Sequence, residues 1–166
     1  CTEKAGLPLL FDMTGCLGYG YGIYDDPGMP QLERCLERYP DLIFIGHGPA
    51  FWAEISVLRD PADRLGYPNY PIIAEGKVAE LMRKYPNLWV DLSAGSGANA
   101  MLRDMEYAGS FMREFHERIL FGTDICYHDQ NILQPQILKN LLANGSLTQE
   151  MFDMIARNNA YRLLNI

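Results

Sequence analysis

Four short apolar runs recur along the chain, and each closes on a polar residue. They are "LPLLFD" (7–12), "LIFIGH" (42–47), "LWVDLS" (88–93) and "ILFGTD" (119–124). Continuous apolar runs of this length suit strands covered on both faces, the environment of a parallel sheet. Laid side by side without gaps, they end on Asp12, His47, Ser93 and Asp124. Functional groups in α/β folds gather at the carboxyl ends of parallel strands. One polar closure alone reads as a loop cap; four in register point to a shared site at that end of the sheet.

Helical patterns separate the runs. Asp26 followed by Pro27 reads as an N-cap with proline at the first helical position. From there Leu32, Cys35, Leu36 and Tyr39 mark an apolar face, as Val78, Leu81, Met82 and Tyr85 do further on. "FMREFHERI" (111–119) ends a third helix. "QNILQPQILKNLLANG" (130–145) reads as a fourth, with Pro135 as a kink or a later start and Gly145 as the C-cap. A last helix starts near Thr148. "LERYPDLIFIGH" and "MRKYPNLWVDLS" repeat a helix end, a Tyr-Pro stop and a strand; "FHERILFGTD" is a third copy without the proline. Such repetition implies a parallel sheet with right-handed crossovers.

The 166 residues suffice for a single domain, 1–166, with a real core. A net charge of −7 argues against a nucleic-acid-binding face, which needs clustered Lys and Arg. No apolar run approaches the roughly 18 residues of a membrane span, and no basic stretch leads into an apolar signal region. The cysteines, Cys1, Cys16, Cys35 and Cys126, are scattered without a CxxC pair, so a reduced, cytoplasmic protein is expected. "CTEKAGLPLL" has no initiator Met and enters a strand at once, as a chain that begins mid-fold would.

Several loops carry candidate groups. "GCLGYGYGIYDD" (15–26) reads as a lid with Tyr19, Tyr21 or Tyr24 lining a pocket, or as an ordinary surface loop. Trp52 and Glu54 follow His47 closely; the apolar residues there pack the loop back, and Glu54 is placed to bond a site residue. "SAGSG" (93–97) offers small residues where backbone can approach a ligand, or a flexible turn. His128 reads as a solvated loop residue, and His116 as a structural residue in the last turn of a helix.

"LIFIGHGPAFWAEIS", "YPNLWVDLSAGSG", "RILFGTD" and the closing "NAYRLLNI" together resemble the amidohydrolase superfamily, in its amidohydrolase-2 branch of metal-dependent hydrolases and decarboxylases. The resemblance covers nearly the whole chain. It implies a (β/α)8 TIM barrel of which this chain is the C-terminal half, four parallel strands that are the fifth to eighth of the family barrel. It implies that His47 positions or activates water or substrate, and that Asp124 is both a metal ligand and a proton acceptor. The family's HxH pair on the first strand has no counterpart here, and Asp12 stands where a histidine is expected. Zinc is the metal the resemblance implies, with manganese or magnesium open to a site containing Asp12.

The resulting expectation is a metal-dependent hydrolase of a small organic substrate, cleaving C–N or C–O bonds, or a nonoxidative decarboxylase. Asp12 and Asp124 are its metal ligands, His47 and Asp124 its catalytic groups, and Ser93, Trp52 and Tyr19 its substrate contacts. The alternative is a non-catalytic truncated half-barrel. Four strands leave two unpaired edges and an open inner face, so a second half-barrel, a copy of this chain or an N-terminal half, is the expected partner. Asp12, His47 and Asp124 are expected to share one cavity with Ser93 on its rim. Strands lie about 4.8 Å apart, and two carboxylates that close raise one another's pKa unless a cation or charged imidazole intervenes.

Overall fold

A computed structural model describes residues 2–18 and 22–166. Five parallel strands form one sheet among these residues: β1 (Leu9–Thr14), β2 (Ile23–Tyr24), β3 (Phe44–His47), β4 (Leu88–Asp91) and β5 (Ile119–Leu120), in the order β2-β1-β3-β4-β5. With helices between the strands, the arrangement is that of a partial (β/α)8 barrel. The apolar runs become strands because both sheet faces are covered. Phe11, Met13, Phe44, Leu88, Val90 and Ile119 point into the core shared with the helices. Ile45 and Trp89 are also buried but stand outside that core, in a cross-strand row with Leu10 on the opposite, inner face. Two residues further along each strand, the same face carries Asp12, His47 and Asp91.

The helices are α1 (Pro30–Arg38), α2 (Pro49–Ala53), α3 (Lys77–Lys84), α4 (Ala94–Leu102), α5 (Met105–Phe115), α6 (Gln134–Ala143), α7 (Gln149–Asp153) and α8 (Asn159–Leu164), with a π-helical turn, Met154–Asn158, joining the last two. Three local expectations change. Pro30, not Pro27, takes the first helical position of α1, because Gly28 and Met29 turn through left-handed backbone first. The carboxylate over that helix start is Asp25, which accepts from the backbone N–H of Gln31 and of Leu32. The small-residue stretch after Ser93 is helix rather than flexible turn, since Gly97 lets α4 approach the Leu92 carbonyl where a Cβ would come within 2.2 Å. Pro135 does mark a later helix start.

The sheet edges also differ from expectation. β2, unexpected as a strand, pairs with Met13 and Thr14 on the outer side of β1. In "ILFGTD" only Ile119 and Leu120 pair with β4, because β4 has by then given way to α4. The edge of β5 is not open: Phe121 N–H donates to the Ile155 carbonyl at 3.0 Å. Among the described residues no helix is long and apolar enough to cross a membrane.

Candidate functional site

β3 delivers His47 to the carboxyl end of the sheet, 9% exposed. The register that sets Ile45 opposite Trp89 brings Asp91 beside His47. Asp91 Oδ2 lies 3.4 Å from His47 Nδ1. Ser93 Oγ lies 3.3 Å from the same nitrogen and donates to Asp91 Oδ2 at 2.9 Å. Ser93 N–H holds the other carboxylate oxygen. A proton on His47 Nδ1 therefore faces two acceptors, and Nε2 stays outside this triangle. The bond to Asp91 raises the His47 pKa against the opposing effect of burial, with Asp12 and Asp124 adding to the rise. Burial alone would raise Asp91, but the bonds from His47 and Ser93 outweigh it and hold that carboxyl below its usual range. Trp52 supports the group from within the core: its Nε1 donates to the Asp91 carbonyl at 3.0 Å.

Asp12 is the register partner of His47 on the other side. Its Oδ1 is buried with no hydrogen-bond partner. Gly22 and Gly48, both with positive φ, leave the space it occupies; a Cβ at Gly48 would come within 2.2 Å of Oδ1. Burial pushes the Asp12 carboxyl up, His47 draws it down, and Asp124 pushes it up again, so the three charges act on one another. Asp124 stands in the loop after β5, exposed, at φ 55°. Aspartate tolerates this left-handed backbone better than most residues. Gln130 Nε2 donates to its carbonyl at 2.9 Å. Ala94, another non-glycine residue at positive φ, donates its N–H to Thr123 O at 3.4 Å nearby. Strained backbone of this kind collects at functional sites.

The structure thus gathers His47, Asp91 and Ser93 by hydrogen bonds, and places the charges of Asp12 and Asp124 in reach of His47. Trp52 is 1% exposed and has its surface in the core, away from any substrate. Tyr19, Tyr21 and Cys1 lie outside the described residues. Tyr24 donates to Asp26, and Glu54 is bonded to Arg64 and Gly28, so neither joins the group. His128 is exposed beside Asp129, and His116 Nδ1 lies 2.8 Å from the Arg113 carbonyl. Asp91 is the member that sequence reading missed. Its signal was present: a carboxylate inside an apolar strand, the same oddity that singles out Asp12.

Asp12 and Asp124 have the chemistry of ligands for a divalent cation, and the unpartnered Oδ1 is an unused acceptor. Among the described residues, however, no three His, Cys, Asp or Glu side chains are grouped to hold a metal. The donors fit part of a coordination shell.

A family model described as "Amidohydrolase" matches residues 2–166, the span that carries the motifs noted above. No curated protein and no solved structure matches the chain.

Proposed function

The chain belongs to the amidohydrolase family, and on that premise we propose that it carries the strand-end half of a metal-dependent hydrolase site for a small organic substrate. The reaction is hydrolysis of a C–N or C–O bond, with nonoxidative decarboxylation as the related possibility. The observation that carries this reading is the row Asp12–His47–Asp91, with Ser93 bonded into it and the charge of Asp124 acting on Asp12 and His47. Asp12 and Asp124 would hold the cation: zinc, or manganese or magnesium given the carboxylate at position 12. A bound metal ion lowers the pKa of its water and polarises a substrate oxygen. Asp124, exposed, accepts and returns a proton; His47, oriented by Asp91, positions the reacting group or donates to it. Ser93 lines the rim. The free thiols of Cys16, Cys35 and Cys126 support a cytoplasmic setting.

A second reading shares this site. The lack of a three-donor group among the described residues favours a chain that completes its shell only with a second half-barrel, a copy of itself or an N-terminal half. Zinc titration calorimetry of the chain tests the ligand assignment. Weak binding is expected, reduced at least about tenfold by Asp12→Asn and by Asp124→Asn and unchanged by His116→Asn. Equal affinity in all four proteins would remove Asp12 and Asp124 as ligands.

A further inference from the structure

The outer edge of β5 is occupied by the chain's own last helix. In the β4–β5 pair, Leu120 O accepts from Leu92 N–H at 3.0 Å, so Leu120 faces β4. The backbone groups of Ile119 and Phe121 face the other way, where a next parallel strand would bond. Both are taken. Phe121 N–H donates to Ile155 O at 3.0 Å, and Asn159 Nδ2 donates to Ile119 O at 2.8 Å. The helix widens to make the first bond. Asn159 N–H reaches five residues back to Met154 O, as in a π-helix, and bypasses Ile155 O, its acceptor in an α-helix. That carbonyl is thereby freed for Phe121. Asn159, fully buried, also donates to His116 O at 2.6 Å. Arg162 stacks over Trp89 at 5.2 Å and donates to Glu117 O. Beyond these anchors the helix is thinly held, with Tyr161, Leu164 and Ile166 exposed.

We infer that the C-terminal helix is an edge cap. It satisfies β5 in place of a pairing strand and so prevents a second copy of the chain from adding at that edge. An uncovered edge is a template for pairing with another chain, and covering it with a helix removes that hazard. The inference stands on the hydrogen bonds at the β5 edge and is independent of the metal chemistry proposed above.

Amide exchange followed by NMR on the unmodified chain is the first test. The Phe121 amide should be protected like that of Leu92, by about 100-fold or more; exchange at the unprotected rate would overturn the cap. Arg162→Ala is the second test, because it loosens the helix at an exposed side chain and leaves the core intact. Phe121 exchange should speed up about tenfold or more, and sedimentation should show a dimer at concentrations where the unmodified chain is a monomer. Faster exchange without association, or equal association of both proteins, would show that the helix does not guard the edge.

Discussion

Asp12 and Asp91 flank His47 in one cross-strand row, yet their protons are held in opposite ways. Asp91 takes bonds from His47 and Ser93 that overcome its burial, whereas Asp12 has one oxygen without any partner. The sign of each shift fixes what each carboxylate does for stability. Asp91, lowered from 3.8, stabilises the fold above that value, and the contribution fades as pH falls through its lower folded pKa. His47, raised from 6.5, stabilises below that value, and the contribution fades as pH rises through its higher folded pKa. The pair therefore contributes most between about pH 4 and 6.5. Asp12, raised from 3.8, costs stability once it ionises. At pH 7, Asp91→Asn should destabilise by about 1–3 kcal/mol, since it leaves buried bonds poorly matched, and it should lower the His47 pKa in an NMR titration. Asp12→Asn should unfold at the same temperature as the parent or higher. Thermal melts that place the two variants together would contradict this assignment.

Strands and helices were legible wherever burial imposed a simple pattern, and the site was legible only where register did not intervene. The gapless overlay of strand ends sets Asp12 beside His47, and the sheet agrees. It also sets Ser93 beside His47, but the β3–β4 register puts Asp91 there, and the β4–β5 register pairs Asp91 with Leu120, four residues before Asp124. Strands in a barrel-like sheet tilt and stagger, so equal distances from a run's start are unequal heights. That stagger cannot be read from one run at a time. The extent of α4 was hidden for another reason: in "SAGSG" the small residues resemble a loop, and only the approach to Leu92 explains Gly97. Gly48 plays the corresponding part between β3 and α2. It has φ 100°, and a Cβ would meet Asp12 Oδ1 at 2.2 Å and Met13 N at 2.7 Å. Gly48→Ala should cost at least about 2 kcal/mol in urea unfolding and should shift the Asp12 and His47 resonances. Parent-like stability would mean that β1 and the start of α2 separate easily.

One buried guanidinium ties the loops on which the site end of the sheet depends. Arg64 Nε donates to Glu54 Oε1 at 2.5 Å, Nη1 donates to the Asp25 carbonyl, and Nη2 reaches Met13 Sδ at 3.3 Å. Glu54 Oε2 in turn accepts from Gly28 N–H at 2.8 Å. β1, the loop before α1, the end of α2 and the turn at Pro61–Leu65 thus meet at one ion pair whose side chains are 2% and 9% exposed. Burial pushes the Glu54 carboxyl up even with Arg64 beside it. The pair therefore adds little net stability over an apolar pair of the same size, while either charge left alone is costly. Arg64→Ala should destabilise by about 3–5 kcal/mol, a large share of the roughly 5–15 kcal/mol a domain holds, and lower the melting temperature by about 10 °C. Glu54→Leu combined with Arg64→Met should lose less than the sum of the two single changes. A double-mutant cycle on urea unfolding measures the difference. Strictly additive losses would show that the two charges stabilise the fold independently, and that Arg64 is held by the Asp25 carbonyl and Met13 rather than by Glu54.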